Sequence, residues 1–282
     1  MLAGLAGCGQ ILGVEPIQIV EPDATVPPPD ATVPPRDADR GSVDAVVAPD
    51  GPPGDACPSL GGPSMARVTG GGVSFCIDTT EVTVGHYAAF LASGPDLGAQ
   101  PPTCAWKGSF ASSVVGPSDH PVTGVDWCDA RAFCAWAGKR LCGAIGGAGG
   151  LEPSRITSAS ASQSFTVCSR GGTSAFSYGA VFEPGRCNIG IPDGGTERTG
   201  ARAGCAGAHP GVFDLVGNVW EWVDACTSPD GGPVAPGGDP TRDVCYFYGG
   251  GYANDPRRGC DLVSALDRAF RAGDVGFRCC AP

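Results

Sequence analysis

The stretch FDLVGNVWEWV at residues 213–223 places two tryptophans, Trp220 and Trp222, beside Asp214, Asn218 and Glu221. A strand has a two-residue side-chain period, so both rings fall on one side. Next to a polar loop that side reads as interior, with a peptide groove lined by tryptophan as the alternative. Upstream, Val73 to Asp78 alternates as a strand. Thr83 then caps a helix whose Val84, Tyr87, Phe90 and Leu91 share one face, and Gly94 ends it. Asp126 caps a second helix, with Asp129 near its positive end. Trp127, Ala130, Cys134 and Ala137 lie on one face, and Gly138 is the stop. Residues 142–212 read as loops, while Tyr248 to Tyr252 and Val275 to Cys279 read as short strands broken by turns. Two helices among many short strands indicate an α+β domain of low regular secondary structure.

Composition bounds the function. Gly and Pro total 73 of 282 residues, yet 42% of the chain is hydrophobic, with 5 Trp and 11 Phe, so it can bury a core. The formal charge is -11, and Lys107 and Lys139 are the lysines, which argues against nucleic acid as a partner. There are 15 cysteines and no Cys-x-x-Cys pair, so disulfides in an oxidising compartment are expected rather than zinc or a thioredoxin-type site. His86, His120 and His209 are scattered, which does not suggest a three-histidine metal centre.

Residues 1–8, MLAGLAGC, resemble a bacterial lipobox ending at Cys8, the expected lipidation site. Residues 9–56 contain neither cysteine nor aromatic residue, and PDATVPP occurs at 22–28 and again at 29–35. Nine acidic residues there face only Arg36 and Arg40, so this segment is expected to be a solvated, disordered linker. Lipidation of Cys8 would leave fourteen cysteines, all within the domain expected at 57–282. The implied location is the bacterial cell envelope, with contact to a membrane only through the lipid, or secretion. Gly9 is compatible with sorting to the outer membrane.

Five ordered segments carry a family resemblance: FCIDTTEVTVGHYAAFL (75–91), HPVTGVDWCDARAFCAWAGKRL (120–141), FDLVGNVWEW (213–222), GGGY (249–252) and GFRC (276–279). Together they resemble the sulfatase-modifying factor, or formylglycine-generating enzyme, domain. The resemblance implies a variant of the C-type lectin fold. In catalytically competent members, two cysteines with four residues between them follow a Gly-Gly-Ser-Tyr motif. They bind Cu(I), and with O2 they oxidise a sulfatase cysteine to formylglycine. Here the first position matches Asn254 and the second Gly259, one residue before Cys260. Soft thiolates select Cu(I), so copper is not the expected cofactor.

The resemblance further implies disulfides Cys168 to Cys260 and Cys134 to Cys279. It also implies a structural calcium ion held by side-chain oxygens of Asp214 and Glu221 and carbonyls of Gly217 and Val219, a hard-oxygen donor set. A second calcium position would use Asn188 and Ile189, but its acidic partner falls near Arg202. Two functions follow as alternatives. One is a binding or structural module with an unidentified protein or peptide partner. The other is an oxidase with a rearranged thiolate site for which Cys260 is the candidate.

Overall fold

Thr83 and Asp126 fix where the two principal helices begin. The Thr83 hydroxyl accepts from the His86 amide at 3.2 Å, and the His86 ring accepts from the Thr83 amide at 3.3 Å. This opens α1, Val84–Ala92, which buries Tyr87 and Phe90. Asp126 and Asp129 exchange the same pair of bonds at 2.9 and 3.1 Å, opening α2, Trp127–Trp136. Such reciprocal caps satisfy amides that the first helical turn leaves without partners. The structure, a computed structural model, describes Cys57 and residues 61–282 except 112–114, 148–149, 208, 210 and 235–236. The chain divides after Ala48, so all described residues belong to the second unit, Pro49–Pro282. The lipobox with Cys8 and the linker at 9–56 lie outside the described residues.

Two four-stranded sheets frame the helices. β1 (Met65–Gly70) and β2 (Val73–Asp78) form a hairpin whose two-residue turn, Gly71-Gly72, has φ of 58° and 79°. Only glycine adopts such paired positive angles without steric cost. The first sheet runs β1-β2-β8-β3, with β3 at Arg140–Leu141 and β8 at Cys279–Ala281. The second runs β6-β5-β4-β7, from β4 (Trp220–Thr227), β5 (Val244–Tyr248), β6 (Val263–Asp267) and β7 (Val275–Phe277), with β4 and β7 parallel. Phe133 of α2 sits amid the rings of Tyr87, Phe90 and Phe277, with centroids 5.4 to 6.0 Å away. Trp220 and Trp222 are both buried and meet Phe247 edge-on at 5.1 Å. The interior face is therefore where they lie.

Two expectations fail for identifiable reasons. A third helix, α3 (Gln163–Cys168), stands within the span read as loops. Its residues are mostly weak helix formers, and it is held by the Ser162 cap and by the sulfur of Cys168. Tyr248 ends β5, but Gly249 to Tyr252 is a turn. Gly249 and Gly250 have φ of 93° and 77°, and a Cβ on them would lie 2.9 Å from the Leu215 carbonyl oxygen and 2.6 Å from Leu262 Cδ1.

Seven disulfides pair all fourteen cysteines from Cys57 onward. The adjacent Cys279 and Cys280 go separate ways, to Cys134 on α2 and to Cys142 after β3. These two links close 145 and 138 residues of sequence. Bridges over loops this long restrict the unfolded chain most, at roughly 4 to 5 kcal/mol each on a chain-entropy account.

Both lysines are spent inside. Lys139 Nζ donates to Asp78 Oδ1 at 2.6 Å, and Lys107 Nζ reaches Asp126 and Asp129 at 2.6 and 2.7 Å. Burial pushes the Asp78 carboxyl up to about 6, against the pull of Lys139. The folded state thus holds this proton more tightly than the unfolded state. Its contribution is full below about pH 4 and is lost as pH rises through about 6. Denaturant titrations across that window should show a falling stability component that Asp78→Asn lacks. At neutral pH, Lys139→Met should cost about 3 to 5 kcal/mol, because it strands a buried carboxylate.

Candidate functional site

The loop ahead of β4 is shaped by backbone angles. Asp214, Gly217 and Asn218 have φ of 57°, 84° and 59°. At Gly217 a Cβ would lie 2.4 Å from the Asn188 carbonyl oxygen, so no side chain fits there. The Gly217 amide donates to the Gly249 carbonyl and the Asn218 amide to the Asn188 carbonyl, while the Tyr252 amide donates back to the Asn218 carbonyl. The Asn218 side chain completes the stitching. Its Nδ2 donates to Glu81 Oε1 at 2.9 Å, and its Oδ1 accepts from the Glu197 amide at 2.8 Å and from Asn188 Nδ2 at 3.1 Å.

Beneath this loop lies a buried charge cluster. The Arg278 guanidinium donates to both carboxylate oxygens of Glu221 at 2.6 to 2.9 Å. It also donates to the Asp78 and Phe213 carbonyls at 3.1 and 2.9 Å. Asp214 Oδ2 accepts from the Gly200 amide at 2.6 Å. Glu81 Oε2 and the hydroxyl of Tyr248, which faces Glu221 across the β4–β5 ladder, are buried without hydrogen-bond partners. Glu221 thus pairs directly with the guanidinium, and Glu81 and Asp214 act on it through space. Desolvation raises all three: Asp214 to about 6, Glu221 upward, and Glu81 well upward with Asp214 and Glu221 adding to the effect. Burial alone would lower Arg278, but the carboxylates of Glu221, Glu81 and Asp214 overcome it and hold the guanidinium charged.

Asp214, Gly217 and Val219 lie in the loop ahead of β4, and Glu221 is the second residue of that strand, with both carboxylate oxygens accepting from Arg278. Carboxylate and carbonyl oxygens are the donor type a hard cation takes, and Glu81 Oε2 is a buried oxygen without a hydrogen-bond partner. Among the described residues no group of three histidine, cysteine, aspartate or glutamate side chains is placed to hold a metal ion. Near the second calcium position Arg202 donates to the Gly185 and Cys187 carbonyls at 2.9 Å and pairs with Glu197. Sequence reasoning missed Glu81 and Arg278 as members of the cluster, although both lie in the segments that carry the resemblance.

The positions of the copper ligands have other uses here. Asn254 Oδ1 accepts from the Gly251 amide at 2.6 Å and closes the turn after β5. Gly259 has φ 55°, and a Cβ there would lie 2.2 Å from the Ala175 carbonyl oxygen and 2.7 Å from the Phe176 ring. Cys260 is buried and bonded to Cys168 on α3, with S–S 2.01 Å.

The Sulfatase-modifying factor enzyme 1-like domain matches residues 63–281. The chain belongs to this family. Its α+β architecture, two four-stranded sheets framing short helices, accords with the C-type-lectin-like variant that membership of the family implies. It is similar to the formylglycine-generating enzyme of Streptomyces coelicolor strain A3(2), 28% identical over 192 residues that cover 60% of this chain and 54% of that one. The bovine protein named inactive C-alpha-formylglycine-generating enzyme 2 is 34% identical over 116 residues, covering 37% and 33%. The crystal structure of CarF superposes with a TM-score of 0.48 at 19% identity, covering 74% of this chain and 86% of that one. The chain spans about half the length of the Streptomyces relative, and a third of the bovine one.

A side chain at 259 meets backbone rather than a flexible neighbour. Gly259→Ala and Gly259→Cys should each lose at least about 1 to 3 kcal/mol in denaturant unfolding, from overpacking and from left-handed strain. A Gly259→Cys protein as stable as the parent would show that the segment yields easily.

Proposed function

We propose that this member of the family works without a thiolate copper centre, as a binding or structural module for a protein or peptide partner. The observation that carries this reading is Gly259. The backbone occupies the space that a second cysteine needs, and the neighbouring sulfur of Cys260 is already joined to Cys168. Cu(I) chemistry of this kind depends on two free thiolates. The bovine relative that is inactive by name lends support by analogy. The alternative is an oxidase that opens the Cys168–Cys260 bond to free a thiolate, and it is distinguishable directly. Purified oxidised protein, incubated with copper, O2 and a cysteine-containing sulfatase peptide, should leave the peptide mass unchanged. Copper-dependent conversion of the cysteine to the aldehyde, abolished by Cys260→Ser, would establish the oxidase instead.

Calcium belongs to the same proposal as a structural ion. Asp214 and Glu221 would supply carboxylate oxygens, and Gly217 and Val219 would supply carbonyls. The ion would contribute charge neutralisation in a region where three buried carboxyls share the single guanidinium of Arg278. A ligand that binds the folded form alone stabilises it by RT ln(1 + [L]/Kd), about 2.7 kcal/mol at a hundredfold excess over Kd. Calcium should therefore raise the unfolding temperature and a chelator lower it. Asp214→Ala should remove that response, and an unchanged response in this variant would place the ion elsewhere.

A further inference from the structure

A groove apart from these segments has unmatched polar chemistry. It lies between the loop 95–100 that follows α1 and the outer face of α2, with Phe90 on its lining, and has a cavity of about 280 Å³. On α2, Arg131 and Trp136 line it, and on the loop Asp96 and Gln100 do so. Trp136 is 41% exposed, although its ring packs edge-on against Phe90 and tilted against Phe133 at centroid distances of 5.6 and 5.5 Å. An aromatic side chain is thus fixed in place while part of it stays open to solvent. Both amide atoms of Gln100 are buried and have no hydrogen-bond partner. An unsatisfied buried amide costs about 1 to 3 kcal/mol, and such groups in folded proteins generally await a water or a ligand. Asp96 Oδ1 accepts from the Gly98 amide at 2.8 Å, which leaves its second oxygen for a ligand. Arg131 lines the groove within electrostatic reach of Asp224, whose charged form it favours.

The pattern of charge narrows the ligand. A cation in this groove would be repelled by Arg131 and an anion by Asp96. A neutral polyhydroxylated ring avoids both conflicts, because each hydroxyl accepts from a guanidinium or amide N–H and donates to a carboxylate or amide oxygen. It also has a C–H face that matches an aromatic ring, and a small concave site with few convergent polar groups is the ordinary form of such a pocket. We propose that this groove binds a neutral pyranose sugar, stacked on Trp136 and hydrogen-bonded through Gln100, Asp96 and Arg131. None of these residues belongs to the Asp214 loop or to the Gly249–Cys260 segment, so the assignment stands apart from the copper and calcium readings.

The test follows the indole N–H resonance of Trp136, assigned by its disappearance in Trp136→Phe. The oxidised full chain is titrated with glucose, galactose, mannose and N-acetylglucosamine. At least one sugar should move that resonance saturably with a dissociation constant in the millimolar range. Gln100→Leu should weaken the interaction tenfold or more while keeping or raising the unfolding temperature, since it removes an amide without a partner. If none of the four sugars moves the Trp136 resonance, or if Gln100→Leu binds as the parent does, the assignment is overturned. Either result leaves the Cys168–Cys260 bond and the reading built on it untouched.

Discussion

One guanidinium holds together segments that lie far apart in the chain. Arg278, between β7 and β8, binds the Glu221 carboxylate at the start of β4, the Asp78 carbonyl at the end of β2 and the Phe213 carbonyl ahead of the Asp214 loop. Both sheets and the loop thus meet on a single buried charge. Desolvating such an ion costs several kcal/mol, and only several well-placed acceptors offset that cost. Around this hub the Asn218 side chain ties Glu81, Asn188 and Glu197 to the same loop. The glycines at 217, 249 and 250 allow the backbones to approach that closely.

Sulfur provides the second constraint, and it acts on the unfolded chain more than on the folded one. The strands are short and much of residues 142–212 is irregular, so few ladder hydrogen bonds bind distant segments to each other. Disulfides supply that connection covalently. Cys168–Cys260 anchors α3 to the segment between β5 and β6, and Cys134–Cys279 anchors α2 to the start of β8. The same use of sulfur bears on chemistry. A thiol committed to a buried bridge is neither a nucleophile nor a metal ligand, so architecture and copper redox activity compete for one cysteine at position 260.

What the sequence made legible follows the range of each interaction. α1, α2 and β2 could be read because their caps and apolar faces are set by residues three or four positions apart, as in the Thr83–His86 and Asp126–Asp129 exchanges. The inward direction of Trp220 and Trp222 followed from the strand period. α3 could not be read, because its tether at Cys168 reaches 92 residues along the chain. The turn at Gly249-Gly250 is imposed by Leu215 and Leu262, and no local pattern distinguishes it from a strand. Arg278, Glu81 and Glu221 become one cluster only after folding, since 57 residues separate Arg278 from Glu221 and 137 separate Asn218 from Glu81. Of the seven disulfides, the resemblance implied two, Cys134–Cys279 and Cys168–Cys260, whereas composition alone leaves the other five open.

The burial of Lys107 and Lys139 carries a practical consequence. These are the chain's lysines, and both side chains are almost wholly enclosed, Lys107 between Asp126 and Asp129 and Lys139 on Asp78 and the Pro63 carbonyl. The folded surface therefore offers no ε-amine to acylation, carbamylation, aldehyde condensation or a lysine-directed protease. Coupling to a resin or a dye has to proceed through carboxylates or arginines, and cleavage after lysine becomes a reporter of global unfolding.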